Sequence, residues 1–213
     1  MARILITSGP TRQYLDPVRY LTNASSGRMG RALAEAVLAA AHEVVIVSGP
    51  VELDYPAAAE VRRVVSTEEM LDACLSVFPS CDGAIGVAAP CDYRPRRVAD
   101  GKIAKTGEPL VLHLIETPDV VATLGERKTR QWLVGFALET EDHRLRALAK
   151  LEKKHCDLIV LNGPEAMNAI ENSVEVIDSA GAVVASFQGE KDAVASGIFG
   201  IIEQRLIDKR VND

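Results

Sequence analysis

The chain has 213 residues, 47% of them apolar, and a formal net charge of −6. That length predicts one domain with a core large enough to fold unaided. The acidity argues against general affinity for DNA or RNA, which calls for a basic face, and no apolar run approaches the ~20 residues of a membrane span.

Met1-Ala2 leads straight into an apolar strand, Ile4-Leu5-Ile6, with no signal-peptide pattern before it. A loop far longer than the usual connection of about two to six residues follows. It carries Arg12, Asp16, Arg19 and Asn23, the equipment of a polar ligand site, and ends in Ser25-Ser26-Gly27. A helix from about Ser26 to Ala41 then puts Leu33, Val37 and Leu38 on one face. Its bare first amides and its dipole suit an anion.

Val44 to Val47 reads as a buried strand and Val61 to Val65 as an edge strand. Ser66 and Glu69 form a capping box for a helix over Met70, Leu71, Cys74, Leu75 and Phe78. Ala84 to Ala88 is the next strand, followed by an irregular loop to about Pro109 and an extended stretch from Leu110 to Leu114. Thr117-Pro118-Asp119 opens a short helix, with a cap, a proline in the first turn and an acid near the dipole. Leu133 to Phe136 is a strand, Glu141 to His155 a helix and Leu158 to Leu161 a strand. Val174 to Ile177 and Val183 to Phe187 flank Asp178-Ser179-Ala180-Gly181 as a hairpin, and a helix over Ala193 to Leu206 closes the chain.

Alternating strands and helices predict an α/β, Rossmann-like fold: a mostly parallel, doubly wound sheet with a C-terminal β-hairpin. Ligands in such sheets bind beyond the carboxyl ends of the strands. Gly9 to Ser26, Ala88 to Lys105, Phe136 to Thr140 and the stretch from Asn162 onward fall there. The dinucleotide fingerprint fails, because Gly9-Pro10-Thr11 follows the first strand and no acid ends the second. A Walker lysine motif is also missing. The cysteines (Cys74, Cys81, Cys91, Cys156) lack metal-ligand spacing and read as reduced thiols of a cytoplasmic protein. The histidines read as surface or packing residues.

The segment Arg94 to Lys105 sets five cations against one acid, Asp100. It follows a central strand and faces a helix start, so a triphosphate would be pinched between them. Gly101 provides a hinge for Lys102 and Lys105 to close over a ligand. Lys150 and Lys154 share one helix face.

These residues also carry a family resemblance. The run SGPTRQYLDPVRYLTNASSGRMG closely resembles phosphopantothenoylcysteine synthetase, the ligase half of the bifunctional coenzyme A biosynthesis flavoprotein. The likeness continues through VSGP (47–50), STEEM (66–70), AAPCDYRP (88–95), KIAK (102–105), TPDV (117–120) and VGFALET (134–140), then Asp157 and Asn162. It implies a single ligase domain over residues 1–213, with 4′-phosphopantothenate, cysteine and CTP as substrates. The carboxylate would attack the α-phosphate of CTP (ATP in some relatives) to give an acyl-nucleotide, which the cysteine amine then opens.

By the same resemblance Lys102 looks like the lysine on the triphosphate, Asn23 like the amide on the acyl carbonyl and Arg19 like a helper in the cysteine step. Ser25, Ser26 and Gly27, with Lys102 and Lys105, match the phosphate side. Gly86, Val87, Ala88, Asp92, Pro118, Asp119, Val120, Phe136, Lys150 and Lys154 match nucleotide-site positions, and Ala89 a backbone contact to the substrate. Magnesium with the triphosphate and a homodimer that shares its sites are also implied. So is the absence of FMN, since the chain begins at the ligase's first strand; a separate decarboxylase is an open partner. The departures are Pro90-Cys91 for Val-Ala, Ala104 for lysine, Arg28 for lysine, Leu138 for alanine and Gly163 for aspartate. Two alternatives stay open: an NAD(P)-dependent short-chain oxidoreductase, and a non-catalytic nucleotide-binding subunit.

Overall fold

The structure is a computed structural model and describes residues 1–138, 143–162 and 171–208. Its frame is an eight-stranded sheet. The parallel strands are β1 (Arg3–Ser8), β4 (Glu43–Ser48), β5 (Glu60–Arg63), β6 (Gly83–Gly86), β9 (Trp132–Leu138) and β10 (Leu158–Asn162). Two short ribbons lie outside that sheet: β2 (Arg12–Tyr14) with β3 (Tyr20–Thr22), and β7 (Tyr93–Pro95) with β8 (Leu114–Glu116). The hairpin of β11 (Glu171–Asp178) and β12 (Val183–Glu190) extends the sheet antiparallel to β10. Spatial order is β12-β11-β10-β9-β6-β1-β4-β5, so the chain winds outward in both directions from the β1/β6 boundary.

The strands are apolar on both faces because helices cover both. Ile4, Ile6, Val44, Ile46, Trp132 and Val134 point toward α1 (Arg28–Ala39) and α5 (Lys191–Ile202). Leu5, Val45, Val47, Leu133, Ile159 and Leu161 point toward α2 (Thr67–Val77), α3 (Val120–Arg127) and α4 (His143–Lys153). This alternation is the period-two rule of strands applied to a doubly covered sheet. Among the described residues, no helix is long and apolar enough to cross a membrane.

The expected α/β architecture is present, and several details differ from the sequence reading. Helix α1 starts at Arg28, not Ser26, because Gly27 takes a left-handed conformation (φ 74°) that ends the loop. The extended stretch near Leu110 resolves into β8, which pairs with β7 across the exposed arm 96–113. Thr117 does not cap α3. Asp119 is its cap, with Pro118 outside the helix. The closing helix widens into a π turn over Glu203–Ile207. Glu139, Thr140, Glu141 and Gly163 lie outside the described residues.

Candidate functional site

At the β1/β6 boundary neighbouring strands run on to crossovers on opposite sides, leaving a crevice beyond their carboxyl ends. The two chains stay together past the sheet. Ala88 N–H donates to Thr7 Oγ1 at 3.2 Å, Ala89 N–H to the Gly9 carbonyl at 2.9 Å, and Pro10 bridges Ala89. Three threonines then pin the next turn. Cys91 N–H donates to Thr11 Oγ1 (2.8 Å), and the Cys91 carbonyl accepts from Thr67 Oγ1 (3.2 Å) and Thr117 Oγ1 (2.6 Å). Pro90 therefore fits without an orphaned amide, since its neighbours supply the bonds that hold the segment.

A cleft of about 290 Å³ opens beside this turn. Thr7, Gly86, Asp92, Tyr93, Glu116, Pro118, Asp119, Val120, Phe136, Lys153 and Lys154 are among the residues that line it. Gly86 leaves room here, because a Cβ would lie 2.5 Å from Val121 Cγ2. Asp119 does two jobs: Oδ1 accepts from the Ala122 amide at 3.0 Å, and Oδ2 pairs with Lys154 Nζ at 3.0 Å. A partly exposed pair of this kind is worth about 0–1 kcal/mol, so Lys154 can turn to an anionic ligand at small cost.

Gly86, Ala88, Asp92, Pro118, Asp119, Val120, Phe136 and Lys154 thus meet in one cleft, as the sequence reading grouped them. Val87, Ala89, Lys150, Lys102 and Lys105 are not among its lining residues. Lys150 lies one turn before Lys154, and α4 ends at Lys153 with His155 in a left-handed conformation (φ 50°). The sequence reading missed Thr7, Tyr93, Glu116, Thr117 and Lys153. Tyr93 and Glu116 enter only through the β7–β8 pairing, which no local pattern announces.

The long first loop approaches from the other side. Asn23 Nδ2 donates to the Ala89 carbonyl at 3.3 Å and to the Pro90 carbonyl at 2.9 Å, so Asn23 and Ala89 are neighbours. Ser25 and Ser26 lead into α1, whose first turn has no acid and, among the described residues, no side-chain cap. Its amides therefore remain available to an anion.

Asp16 is fully buried within this loop. Its Oδ1 accepts from the Val18 and Arg19 amides, both at 2.8 Å, and its Oδ2 from Arg19 Nε at 3.0 Å and the Ile103 amide at 3.1 Å. Arg19 also donates to the Ile103 carbonyl. Burial works to raise the Asp16 pKa. The Ile103, Val18 and Arg19 amides and the Arg19 guanidinium outweigh it and hold the carboxyl well below its usual range. Burial pushes the Cys74 and Cys156 thiols up to about 12, so neither is a ready nucleophile.

A mostly parallel sheet with its cleft at the reversal of strand order defines a Rossmann-like α/β protein. Within that class, the chain belongs to the family described as DNA/pantothenate metabolism flavoprotein C-terminal domain, whose model matches residues 1–206. The coenzyme A biosynthesis bifunctional protein CoaBC of Bacillus subtilis (strain 168) is 46% identical over 167 residues, 78% of this chain and 41% of that protein. Its counterpart from Haemophilus influenzae is 38% identical over 205 residues, 94% of this chain and 51% of that protein. The chain spans about half the length of the curated relatives it matches. A crystal structure of the C-terminal domain of a coenzyme A biosynthesis bifunctional protein CoaBC superposes with TM-score 0.82 at 37% identity, covering 97% of this chain and 96% of that one. The Cab2 mutant H337A in complex with phosphopantothenate-cysteine shares the fold, with TM-score 0.81 at 18% identity over 99% of this chain and 88% of that one.

Proposed function

We propose that this chain ligates 4′-phosphopantothenate to cysteine through an acyl-nucleotide, with CTP preferred to ATP. The observation that carries the reading is the contact of Asn23 with Ala89 and Pro90 beside the cleft. It joins the loop before α1 to the turn after β6, in a chain of this family. A carboxylate is already a nucleophile, so the protein's work is to position reactants and spread phosphate charge.

The cleft suits the base and ribose, since the exposed carboxylates Asp92, Glu116 and Asp119 line it against two lysines. The triphosphate belongs with the α1 amides, Ser25, Ser26, Lys102 and Lys105. Asn23 then orients the acyl carbonyl, and Arg19 assists as cysteine attacks. Magnesium would neutralise phosphate charge. Among the described residues no three His, Cys, Asp or Glu side chains gather around a metal. Such an ion would be carried by the triphosphate, with waters completing its shell. The working unit in this reading is a homodimer in the cytoplasm, with no flavin in this chain. The exposed side chains of Leu110, Val111, Leu112, Leu114 and Ile115 support a subunit contact.

The test is pyrophosphate release with each of the four nucleoside triphosphates, magnesium and phosphopantothenate, with and without cysteine. Release should be fastest with CTP and should yield phosphopantothenoylcysteine only when cysteine is present. NAD(H) binding at micromolar affinity with no CTP-dependent product would contradict the reading.

A further inference from the structure

We propose that Asp16 is a positioning residue: its buried carboxylate latches the Lys102–Lys105 segment onto the first loop and so sets where Lys102 stands. The kinetic part of this inference rests on the ligase reading; the latch itself does not. Residues 96–105 run along the surface outside any regular element of the main sheet. Two points tie this stretch to the first loop: Ala99 N–H donates to the Leu15 carbonyl at 3.0 Å, and Ile103 is gripped from both sides. The Ile103 amide donates to Asp16 Oδ2 and its carbonyl accepts from Arg19, while Arg19 is itself held by Asp16 at 2.7 Å. Both backbone groups of Ile103 therefore depend on one carboxylate.

The consequence falls on the residue next door. Lys102 is exposed, and a long side chain on an untethered loop samples many positions. Fixing Ile103 fixes the Cα of Lys102 to within one peptide unit. Asp16 spends all its acceptor capacity on the latch and on its own turn, and its burial leaves no face for substrate. A role through Lys102, with no substrate contact of its own, follows. Arg19 is then part of the same device, because its guanidinium bridges Asp16 to the Ile103 carbonyl.

The test uses the full chain in two arms. Limited trypsin digestion reads the latch without any activity. In Asp16→Asn, cleavage after Arg19, Lys102 and Lys105 should accelerate about tenfold or more while cleavage outside the first loop and the arm 96–113 is unchanged, since local opening controls such cleavage. An unchanged rate at those bonds would overturn the latch. The kinetic arm is a double-mutant cycle. Asp16→Asn should lower kcat for pyrophosphate release by roughly a hundredfold, the scale of a misplacement of about 1 Å. Combined with Lys102→Gln it should cost no more than Lys102→Gln alone, whereas losses that multiply would show that Asp16 does not act through Lys102. Should Asp16→Asn fail to fold, Ile103→Pro removes the donated amide and is judged by cleavage after Lys105, since trypsin does not cut before proline, and by the kinetic arm. A wild-type chain that releases no pyrophosphate would contradict the ligase reading, and the trypsin arm would still decide the latch.

Discussion

Asn23 donates to the Ala89 carbonyl at 3.3 Å and to the Pro90 carbonyl at 2.9 Å, and the longer of the two is the bond an acyl carbonyl would displace. An uncharged donor in that place is poorly suited to gripping a triphosphate that has lysines and helix amides to hold it. It suits an acyl carbonyl, whose oxygen gains charge as an amine attacks. Losing one such donor typically costs about 10²–10³ in rate. Asn23→Asp is close to isosteric, so it should still release pyrophosphate but pass the acyl group to cysteine slowly. Acid quench and mass spectrometry should then find acyl-nucleotide accumulated on the enzyme. Loss of pyrophosphate release without cysteine would move Asn23 to the first step. That the sequence exposes Asn23 and Asp16 as polar loop residues, yet hides what Asp16 holds, has a physical reason. The partners of Asp16 are backbone groups of Ile103, a residue distant in sequence, and backbone groups carry no sequence signal.

Elements with local signatures were legible. Ser66 Oγ accepts from the Glu69 amide at 3.1 Å, so the N-cap half of the expected capping box over α2 is present, and a cap of this kind is worth about 1 kcal/mol. Glu69 reaches back one residue further than expected, to the Val65 amide at 2.8 Å. The parallel strands announced themselves as continuous apolar runs because both faces are buried. Ribbons β2–β3 and β7–β8 did not, because each strand has only three residues and shows no period. The second ribbon also pairs across the arm 96–113, too far for any hairpin signal. That arm leaves Leu110 and Val111 56% and 74% exposed, and Leu114, next to it in β8, is 42% exposed. If it is the subunit contact, Val111→Asp should shift the protein from dimer to monomer in sedimentation velocity while leaving thermal stability unchanged. A monomeric wild type at micromolar concentration would contradict the dimer.

At the scale of the molecule, function follows from where the sheet reverses. Winding outward from β1 and β6 places the end of β1, the turn after β6 and the start of α3 around one crevice, although they come from separate parts of the chain. The order of strands could be anticipated only as a class, because alternation fixes a parallel sheet without fixing which strands are neighbours. The central claim is that the carboxylate of phosphopantothenate attacks the α-phosphate of the nucleotide. In that reaction one carboxylate oxygen bridges carbon and phosphorus, and the cysteine amine releases it with the nucleoside monophosphate. The direct test is a single turnover with phosphopantothenate whose carboxylate carries heavy oxygen, followed by mass spectrometry of the products. The account predicts one heavy oxygen in the CMP and none in the pyrophosphate. Heavy oxygen in inorganic phosphate, with CDP formed in place of CMP, would contradict it.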